Sequence, residues 1–347
     1  MEFLKTPWPN LRLYAQNCGV IDPYDPKNAL LFRGEEAFAP EITGWRRWSK
    51  PSPEPRLDEA FEPILLDAIA VQAPVINALT RELALKISAA NSKAPVLVAA
   101  LRAGVPICAL LAPILEEFYG QTIPICAFSL FYGLGWDERA LEKIVADFPD
   151  RPLIFVDGWT SGGGVATQIE DSFSLWKASG KPDFSDGQAP QFAVLCDPRG
   201  KATFSALKAD FFVPSAVFTA PETLGFSRGF AFESGNLFGV YAFPRHFQKP
   251  AWIAAWLQVL NAPVARIPLD DAPNAPLAPP NFRVHVNEVI RASINRDPLE
   301  VWLRDDAKTA RKSLAPLLYL AQNRGVAVEF ERGEVETWGA VAAARMK

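Results

Sequence analysis

Residues 151–169 have the sequence RPLIFVDGWTSGGGVATQI, which predicts a buried strand, a glycine-rich turn and a helix in direct succession. Residues 153–156 are an unbroken apolar run with β-branched members, as is typical of a parallel strand covered on both faces. Asp157 is predicted to end this strand, and a helical pattern begins at Val165. The turn therefore lies at the N-terminus of a helix, where free N–H groups and the helix dipole favour an anion.

The turn itself carries the groups that a phosphate site needs. Two hydroxyl residues, Thr160 and Ser161, precede three glycines, Gly162, Gly163 and Gly164. Hydroxyls and close-approaching backbone amides are suited to holding a phosphate. The turn is neither a Walker loop nor a GxGxxG motif. The alternative is that the glycines serve only tight strand-to-helix packing.

A second loop has the same character. Residues 96–100 predict another buried strand, followed by Arg102, Ala103 and Gly104 and then a helix over 107–118. An arginine with free amides at this position predicts a second anion site. The alternative is an ordinary solvated arginine in a turn.

Strands and helices alternate through the first two thirds of the chain. The remaining predictions are strands at 123–130, 191–196 and 211–213, a mobile loop at 131–137, and helices at 61–90, 138–147 and 165–178. This alternation predicts an α/β fold with a largely parallel sheet and ligands at the carboxyl ends of its strands. Both predicted anion loops lie at that edge.

Composition indicates a globular protein. The chain has 347 residues, 49% hydrophobic and 21% charged, with a net charge of −4, which argues against a globally basic nucleic-acid binder. The sequence shows neither a signal peptide nor an apolar run judged long enough to span a bilayer, so a cytoplasmic protein without membrane contact is predicted. The four cysteines are far apart, which favours reduced thiols.

Proline-rich stretches divide the chain into four parts. Residues 1–60 are predicted to be an arm wrapped on the core, 61–261 the main domain, 262–281 a semi-rigid linker, and 282–347 a small C-terminal domain. The C-terminal pattern predicts a helix, a strand at 299–303, a helix from Asp306 to about Asn323, and a strand in GVAVEFE, as a small α/β/α sandwich.

The order of loops in residues 96–197 resembles the type I phosphoribosyltransferases. LRAGVP at 101–106, FVDGWT at 155–160 and VPSA at 213–216 are similar, more narrowly, to the StiP-type phosphoribosyltransferase–Pelota proteins of tellurite-resistance and stress operons. That resemblance implies a phosphoribosyltransferase-like sheet flanked by helices, followed by a Pelota or L7Ae-like RNA-binding domain.

The resemblance also implies roles for the loop residues. Thr160, Ser161 and the amides of Gly162, Gly163 and Gly164 would hold the 5-phosphate of phosphoribosyl pyrophosphate or a ribose phosphate. Arg102, Ala103 and Gly104 would hold the pyrophosphate, with Mg²⁺ bound through the substrate and no metal site in the protein itself. Asp157 would be catalytic beside the ribose. Val156 stands where the family usually has a second acid.

The basic residues of the C-terminal part are compatible with an RNA surface or with ordinary helix-surface charge. They are Arg291, Arg296, Arg304, Lys308, Arg311, Lys312 and Arg324. Whether the chain forms a homo-oligomer stays open.

Three functions compete at this level. The first is phosphoribosyl transfer to a base or nucleoside-type acceptor, and the second is a non-catalytic ribose-phosphate sensor that binds RNA. The third is a cysteine hydrolase, in keeping with the cysteine protease label that the family also carries. It would use Cys196, Cys126 or Cys108 with His246 or His285 as the base, and we rank it last because a histidine of either kind is more often structural.

Overall fold

Parallel pairing of short hydrophobic strands organises the first two thirds of the chain. A computed structural model describes residues 3–34, 41–185, 189–231, 237–267 and 275–347. In chain order the strands are β1 (Leu11–Leu13), β2 (Gln16–Val20), β3 (Val96–Ala100), β4 (Ile125–Phe128), β5 (Leu130–Phe131), β6 (Gly135–Trp136), β7 (Leu153–Trp159), β8 (Gln191–Cys196), β9 (Phe204–Leu207), β10 (Gly239–Ala242), β11 (Phe282–Val284), β12 (Glu300–Leu303), β13 (Ala327–Glu329) and β14 (Ala342–Arg345).

Helices cover both faces of the resulting sheet. They are α1 (Gly44–Arg47), α2 (Phe61–Ala90), α3 (Gly104–Tyr119), α4 (Glu138–Asp147), α5 (Gly164–Ala178), α6 (Pro250–Leu257), α7 (Val286–Asn295), α8 (Ala307–Ser313), α9 (Ala315–Asn323) and α10 (Gly333–Thr337). Glycine at residue 120, with φ 64°, ends α3 in the left-handed conformation common after helices.

The main sheet has six strands in the order β1-β4-β3-β7-β8-β9, and every neighbouring pair is parallel. The central strand β7 lies between β3 and β8, with Val98 opposite Phe155 and Trp159 opposite Cys196. The predicted α/β fold with a parallel sheet is therefore confirmed. The loops after β3, β7 and β8 meet at one edge, which we call the carboxyl edge.

Two apolar cores lie on either side of this sheet. Helices α2 and α3 pack on one face, where Ile76, Leu79 and Leu110 are fully buried. Trp136 and Trp176 fill the other face, beside α4 and α5. Helix α2 meets the length and hydropathy of a membrane-crossing helix, contrary to our expectation, but 56% of its most apolar window is buried within the protein. Such a helix is commonly a core helix, and cytoplasmic location stays a prediction.

Several predicted boundaries were wrong. Strand β7 continues through Asp157 and Gly158 to Trp159, because the ladder with β8 extends to Cys196. Residues 131–137 contain part of the antiparallel hairpin of β5 and β6, and residues 211–213 form no strand. The predicted arm supplies the edge strand β1 and also β2, which pairs with β10.

The C-terminal residues form a separate four-stranded sheet in the order β11-β14-β12-β13. The predicted helix from Asp306 to Asn323 is two helices, α8 and α9, which meet at Leu314 ahead of Pro316. Proline favours the first turn of a helix over its interior, which explains the break. A Pelota-like identity for this part is not confirmed and stays a prediction.

Hydrogen bonds join the C-terminal residues to the segment that follows β9. The Asp210 carboxylate accepts the N–H of Val286, at 2.9 Å, and that of Val341, at 2.8 Å. Asn287 accepts the N–H of Val213 at 2.9 Å and donates to the carbonyl of Phe211 at 2.8 Å. The centre of the predicted linker, 268–274, lies outside the described residues, and the proposed division into domains stays a prediction.

We expect Asp210→Ala to lower the free energy of unfolding by about 2–4 kcal/mol, since two buried N–H groups would lose their acceptor. The matched control is Asp297→Ala, because the Asp297 side chain is 75% exposed and its ion pair with Arg324 contributes little. Urea unfolding of both variants measures the difference. Equal stabilities would show that Asp210 does not hold the two parts together.

Candidate functional site

The glycine-rich turn after β7 lies at the carboxyl edge, as predicted. Thr160 is buried and donates its N–H to the carbonyl of Cys196 at 3.0 Å, which fixes the turn beside the end of β8. Gly163 precedes α5 with φ 81°, and a Cβ there would lie 2.9 Å from the Lys201 side chain. Glycine is therefore required at residue 163 by both the backbone and its neighbour.

The C-terminal residues close over this turn. The Ser161 hydroxyl contacts Nδ1 of His285 and donates to the carbonyl of Val284 at 3.2 Å. The Trp159 indole donates to Glu288 at 2.9 Å. Gly162 and Gly164 remain exposed. The turn is thus covered on the side of Ser161 and open on the side of the α5 N-terminus.

Asp157 is held at the same edge. Its carboxylate accepts the N–H of the adjacent Gly158 at 2.7 Å. Burial raises its pKa to about 7, although that hydrogen bond and the nearby Arg291 act in the opposite direction. A carboxyl group with a pKa near 7 exchanges protons readily at physiological pH, which suits acid–base chemistry.

The second predicted anion loop is already occupied by an acid from the arm. Arg102 contacts both carboxylate oxygens of Glu54, at 3.1 and 3.0 Å, and both side chains are nearly closed to solvent. The peptide bond before Arg102 is cis. Gly104 packs on β7, where a Cβ would lie 2.1 Å from the Val156 carbonyl oxygen, and Ala103 is buried. Anion binding by Arg102, Ala103 and Gly104 stays a prediction.

Two further arginines at this edge were not assigned to it by the sequence. Arg228, from the segment that precedes β10, donates its backbone N–H to Glu54 at 3.1 Å. Arg291, from α7, is half-buried, and Asp157, Arg102 and Glu288 all act on its charge. Its spacing with Glu288 and Asn295, at i, i+3 and i+7, is the signal that could have placed all three on one helix face.

The predicted RNA surface is consequently smaller than the sequence suggested. Arg291 faces the carboxyl edge, Arg304 pairs with Asp305, and Arg324 donates to the carbonyls of Arg296 and Ile294. Exposed basic residues remain on α8 at Lys308, Arg311 and Lys312. RNA binding there stays a prediction.

The four cysteines differ in access to solvent. Cys108, Cys126 and Cys196 are buried, and Cys18 is partly exposed. Burial raises the pKa of every one of these thiols. Among the described residues, no hydrogen bond joins a thiol to a histidine.

The two histidines occupy contrasting positions. His246 is exposed and packs on the ring of Phe247. His285 is buried, with 3% of its surface exposed, and its Nε2 has no hydrogen-bond partner among the described residues. Burial, aided by the charge of Arg199, lowers its pKa to about 4, so the ring is neutral at pH 7.

Across the parts of the chain that the structure describes, no group of three or more His, Cys, Asp and Glu side chains is arranged to hold a metal ion. The predicted Mg²⁺ would be bound by the pyrophosphate of a substrate. The metal and the pyrophosphate both stay predictions.

The raised pKa of Asp157 makes a prediction about stability. Because the pKa in the folded protein, about 7, lies above the usual 3.8, the folded state binds the proton more tightly than the unfolded state. Its contribution to stability is therefore present below pH 4 and is lost as the pH rises towards 7, with a slope of at most about 1.4 kcal/mol per pH unit.

We expect the native chain to lose stability as Asp157 ionises and Asp157→Asn not to do so. The variant should therefore gain stability relative to the native chain between pH 5 and pH 8. Urea unfolding at several pH values measures the difference. Glu288→Gln is the control for an acid at the same edge. A difference between Asp157→Asn and the native chain that does not change with pH would show that Asp157 has an ordinary pKa.

Solved structures match part of this chain at low similarity. One is a hypothetical protein from Neisseria gonorrhoeae with bound ppGpp, at 19% identity and a TM-score of 0.27, covering 38% of this chain and 77% of that protein. Another is a hypoxanthine-guanine phosphoribosyltransferase from L. donovani, at 17% identity and a TM-score of 0.25, covering 38% of this chain and 79% of that one.

A curated relative is similar in sequence over 199 residues. It is the cysteine protease StiP of Acinetobacter baylyi, 27% identical over 57% of this chain. The aligned residues span 48% of the relative, so this chain matches about half of its length.

A family model described as "Tellurite-like stress resistance cysteine protease StiP" matches residues 44–237. This description and the relative's name both specify a cysteine protease, so the prediction of a phosphoribosyltransferase is wrong. The cysteine hydrolase that we ranked last is the better supported function, and the predicted stress and tellurite-resistance association is confirmed. Because the matched residues are more than half of the chain, the protein belongs to the StiP family of tellurite-like stress resistance proteins.

Proposed function

We propose that this chain is a stress-resistance hydrolase of the cysteine type, working at the carboxyl edge with His285 as the base. The observation that carries the proposal is the buried, neutral ring of His285, whose Nε2 is unpartnered among the described residues. Buried polar atoms are normally hydrogen-bonded. A buried ring nitrogen without a partner is therefore unusual, and a catalytic role is one explanation for it.

Cys196 is the thiol that fits this base. It ends β8 opposite Trp159, and its carbonyl holds the turn that carries Ser161. The charge of Asp210 acts on the Cys196 thiol, and Asp210 also accepts the N–H of Val286, the residue after His285. Both residues are thus linked to Asp210, which supports the proposal that Cys196 and His285 work together.

The segment matched by the family model limits where a histidine base can come from. It contains Cys108, Cys126 and Cys196 but neither histidine of the chain, since His246 and His285 both lie beyond residue 237. A histidine base in this chain must therefore come from the later residues. Of the two, His285 is the one that the fold brings to the carboxyl edge.

The contacts of Ser161 favour one tautomer of His285. Ser161 donates its proton to the Val284 carbonyl, so its oxygen is left to accept the proton of His285 Nδ1. A proton on Nδ1 leaves a lone pair on Nε2, the form of histidine that accepts a proton from a nucleophile.

The backbone holds the ring in place. At His285 φ is 77°, a conformation that costs a residue other than glycine about 1–3 kcal/mol. The bond from its N–H to the Ala342 carbonyl, at 3.0 Å, and that from Val286 to Asp210 maintain it. Unusual backbone of this kind occurs often at functional sites.

The reaction then follows the usual course of thiol hydrolysis. His285 Nε2 takes the Cys196 proton, and the thiolate attacks the substrate carbonyl carbon. The amides of Gly162 and Gly164, at the N-terminus of α5, stabilise the oxyanion. The carbon–nitrogen bond breaks as His285 returns the proton to the leaving amine. Water then attacks the thioester, releasing the acid and restoring the thiol.

Entry of the substrate to the buried Cys196 thiol is the step that controls this reaction. Cys196 has 1% of its surface exposed, and burial raises its pKa well above the ordinary value, so the resting thiol is protonated and shielded. Substrate entry therefore requires the packing around the Cys196 thiol to open. Thiol reagents should label resting Cys196 slowly, because the thiolate is the reactive form.

We expect Cys196→Ala and His285→Ala each to reduce hydrolysis of fluorescently labelled casein by about 10³-fold, because both groups take part in the same chemical step. The matched controls are Cys126→Ala, another buried strand thiol, and His246→Ala, and both should keep native activity. Ser161→Ala should slow the reaction without abolishing it, since Ser161 only orients the ring.

Full activity of Cys196→Ala would overturn the assignment of the nucleophile. If Ser161→Ala is then inactive, Ser161 is the nucleophile instead, since its hydroxyl is the one in contact with His285. Native activity of His285→Ala would remove His285 as the base. Circular dichroism of each variant shows whether a loss of activity reflects chemistry or unfolding.

A further inference from the structure

Arginines from three parts of the chain converge beside the proposed hydrolase site. Arg102 follows β3, Arg228 follows the buried residues 220–227, and Arg291 lies on α7. We call them the arginine triad. Bringing together three cations in a region with little water is costly unless anions compensate them.

Glu54 is the acid that contacts the triad directly. Both of its carboxylate oxygens accept hydrogen bonds from Nη1 of Arg102. One of them also accepts the backbone N–H of Arg228 at 3.1 Å. Its side chain is completely closed to solvent. A carboxylate carried by the arm is thus seated where a substrate group could bind.

The arginine triad has hydrogen-bond donors that Glu54 does not use. Arg228 donates from Nη2 to Asn295 at 2.9 Å, but its Nε is buried without a partner in the described residues. Arg291 makes neither a hydrogen bond nor an ion pair with any residue in the described ranges, although it is half-buried. Guanidinium groups with free donors bind carboxylates and phosphates well.

Two other acids near the triad, Asp157 and Glu222, compensate its charge only in part, and Glu288 acts on Arg291 as well. Burial raises the pKa of Asp157 and of Glu222 to about 7, so each carries only part of its charge at neutral pH. Burial also lowers the pKa of Arg228 to about 9, with the charge of Arg102 acting in the same direction. An additional anion would therefore be favoured at the triad.

The arm around Glu54 can leave without unfolding a helix or a strand. Residues 51–58 form neither. The contacts that hold them include the backbone bond from Arg33 to Pro51 and the bond from the Arg33 side chain to Ser52. Release of the arm therefore breaks loop and side-chain contacts only, and its main cost is the loss of the Arg102–Glu54 pair, which a substrate carboxylate would replace.

We propose that the arginine triad is a substrate subsite for the carboxylate of an acidic peptide side chain, and that Glu54 occupies it until substrate replaces it. This inference rests on the proposed hydrolase function, because it assigns the peptide that the site accepts. The triad lies next to the reaction site: Arg291 acts on Asp157 in β7, and Cys196 ends the neighbouring strand. An acidic residue close to the cleaved bond would fit there.

The test compares two peptides that differ in one charge, acetyl-Ala-Ala-Glu-Ala-Ala-amide and the same peptide with Gln in place of Glu. Binding is measured by calorimetry in a Cys196→Ser background, so that no bond is cut. We expect Glu54→Gln to tighten binding of the Glu peptide at least tenfold, since the internal competitor is weakened. Binding of the Gln peptide should not change.

Two further variants show whether the triad is responsible. Adding Arg102→Met to Glu54→Gln should abolish the gain for the Glu peptide. Glu62→Gln is the matched control, because Glu62 is an acid of α2 that pairs with Lys249. Equal affinity of the Glu54→Gln protein for the two peptides would overturn the proposal.

A measurement on the native chain covers the case in which Glu54→Gln fails to fold. The Glu peptide should increase hydrogen exchange of residues 54–58, because it releases the arm, and the Gln peptide should not. An arm that responds equally to both peptides, or to inorganic phosphate and not to the Glu peptide, would contradict a carboxylate subsite.

The result also separates this inference from the proposed function. Binding of the Glu peptide without any hydrolysis by the native chain would overturn the hydrolase and leave a carboxylate-binding site. Hydrolysis with no preference between the peptides would overturn the subsite and leave the hydrolase.

Discussion

The ion pair between Arg102 and Glu54 is closed to solvent, and the parts of the chain around the carboxyl edge are arranged to keep it paired. Removing water from two charges costs several kcal/mol for each, and the cost is recovered when the remaining hydrogen-bonding groups are satisfied. Both oxygens of Glu54 contact Arg102, and the Arg228 N–H adds a third contact. The arm is thereby fixed to the sheet, although residues 51–58 form neither helix nor strand.

The same exclusion of water sets the protonation of the neighbouring groups. Burial favours the neutral form of any titrating side chain, so it raises the pKa of Asp157 and lowers that of His285. Both effects depend on the C-terminal residues, which cover the edge through Ser161 and Trp159. A chain that ended before residue 282 would leave this edge open to water, with neither the histidine nor the burial that makes it neutral.

Long elements with regular hydrophobic patterns could be predicted from the sequence. Helix α2 begins and ends at the predicted residues, and β3 and β8 match their apolar runs. The two outer strands of the main sheet were not predicted: β1 has three residues and β9 has four, too few to show a period of two. They are strands because neighbours in the sheet supply hydrogen-bond partners, and the local sequence does not contain that information.

The sequence by itself determined the alternation of strands and helices and the glycine-rich turn at residues 162–164, because apolar periodicity and backbone freedom are local properties. It also placed Arg102 and Asp157 at the ends of parallel strands, hence at one edge. Only the tertiary structure decided that Glu54 would meet Arg102 and that His285 would meet Ser161, across 48 and 124 residues of chain. Such meetings depend on how whole elements pack, and packing also decides which charges lose water and therefore which groups are neutral at pH 7.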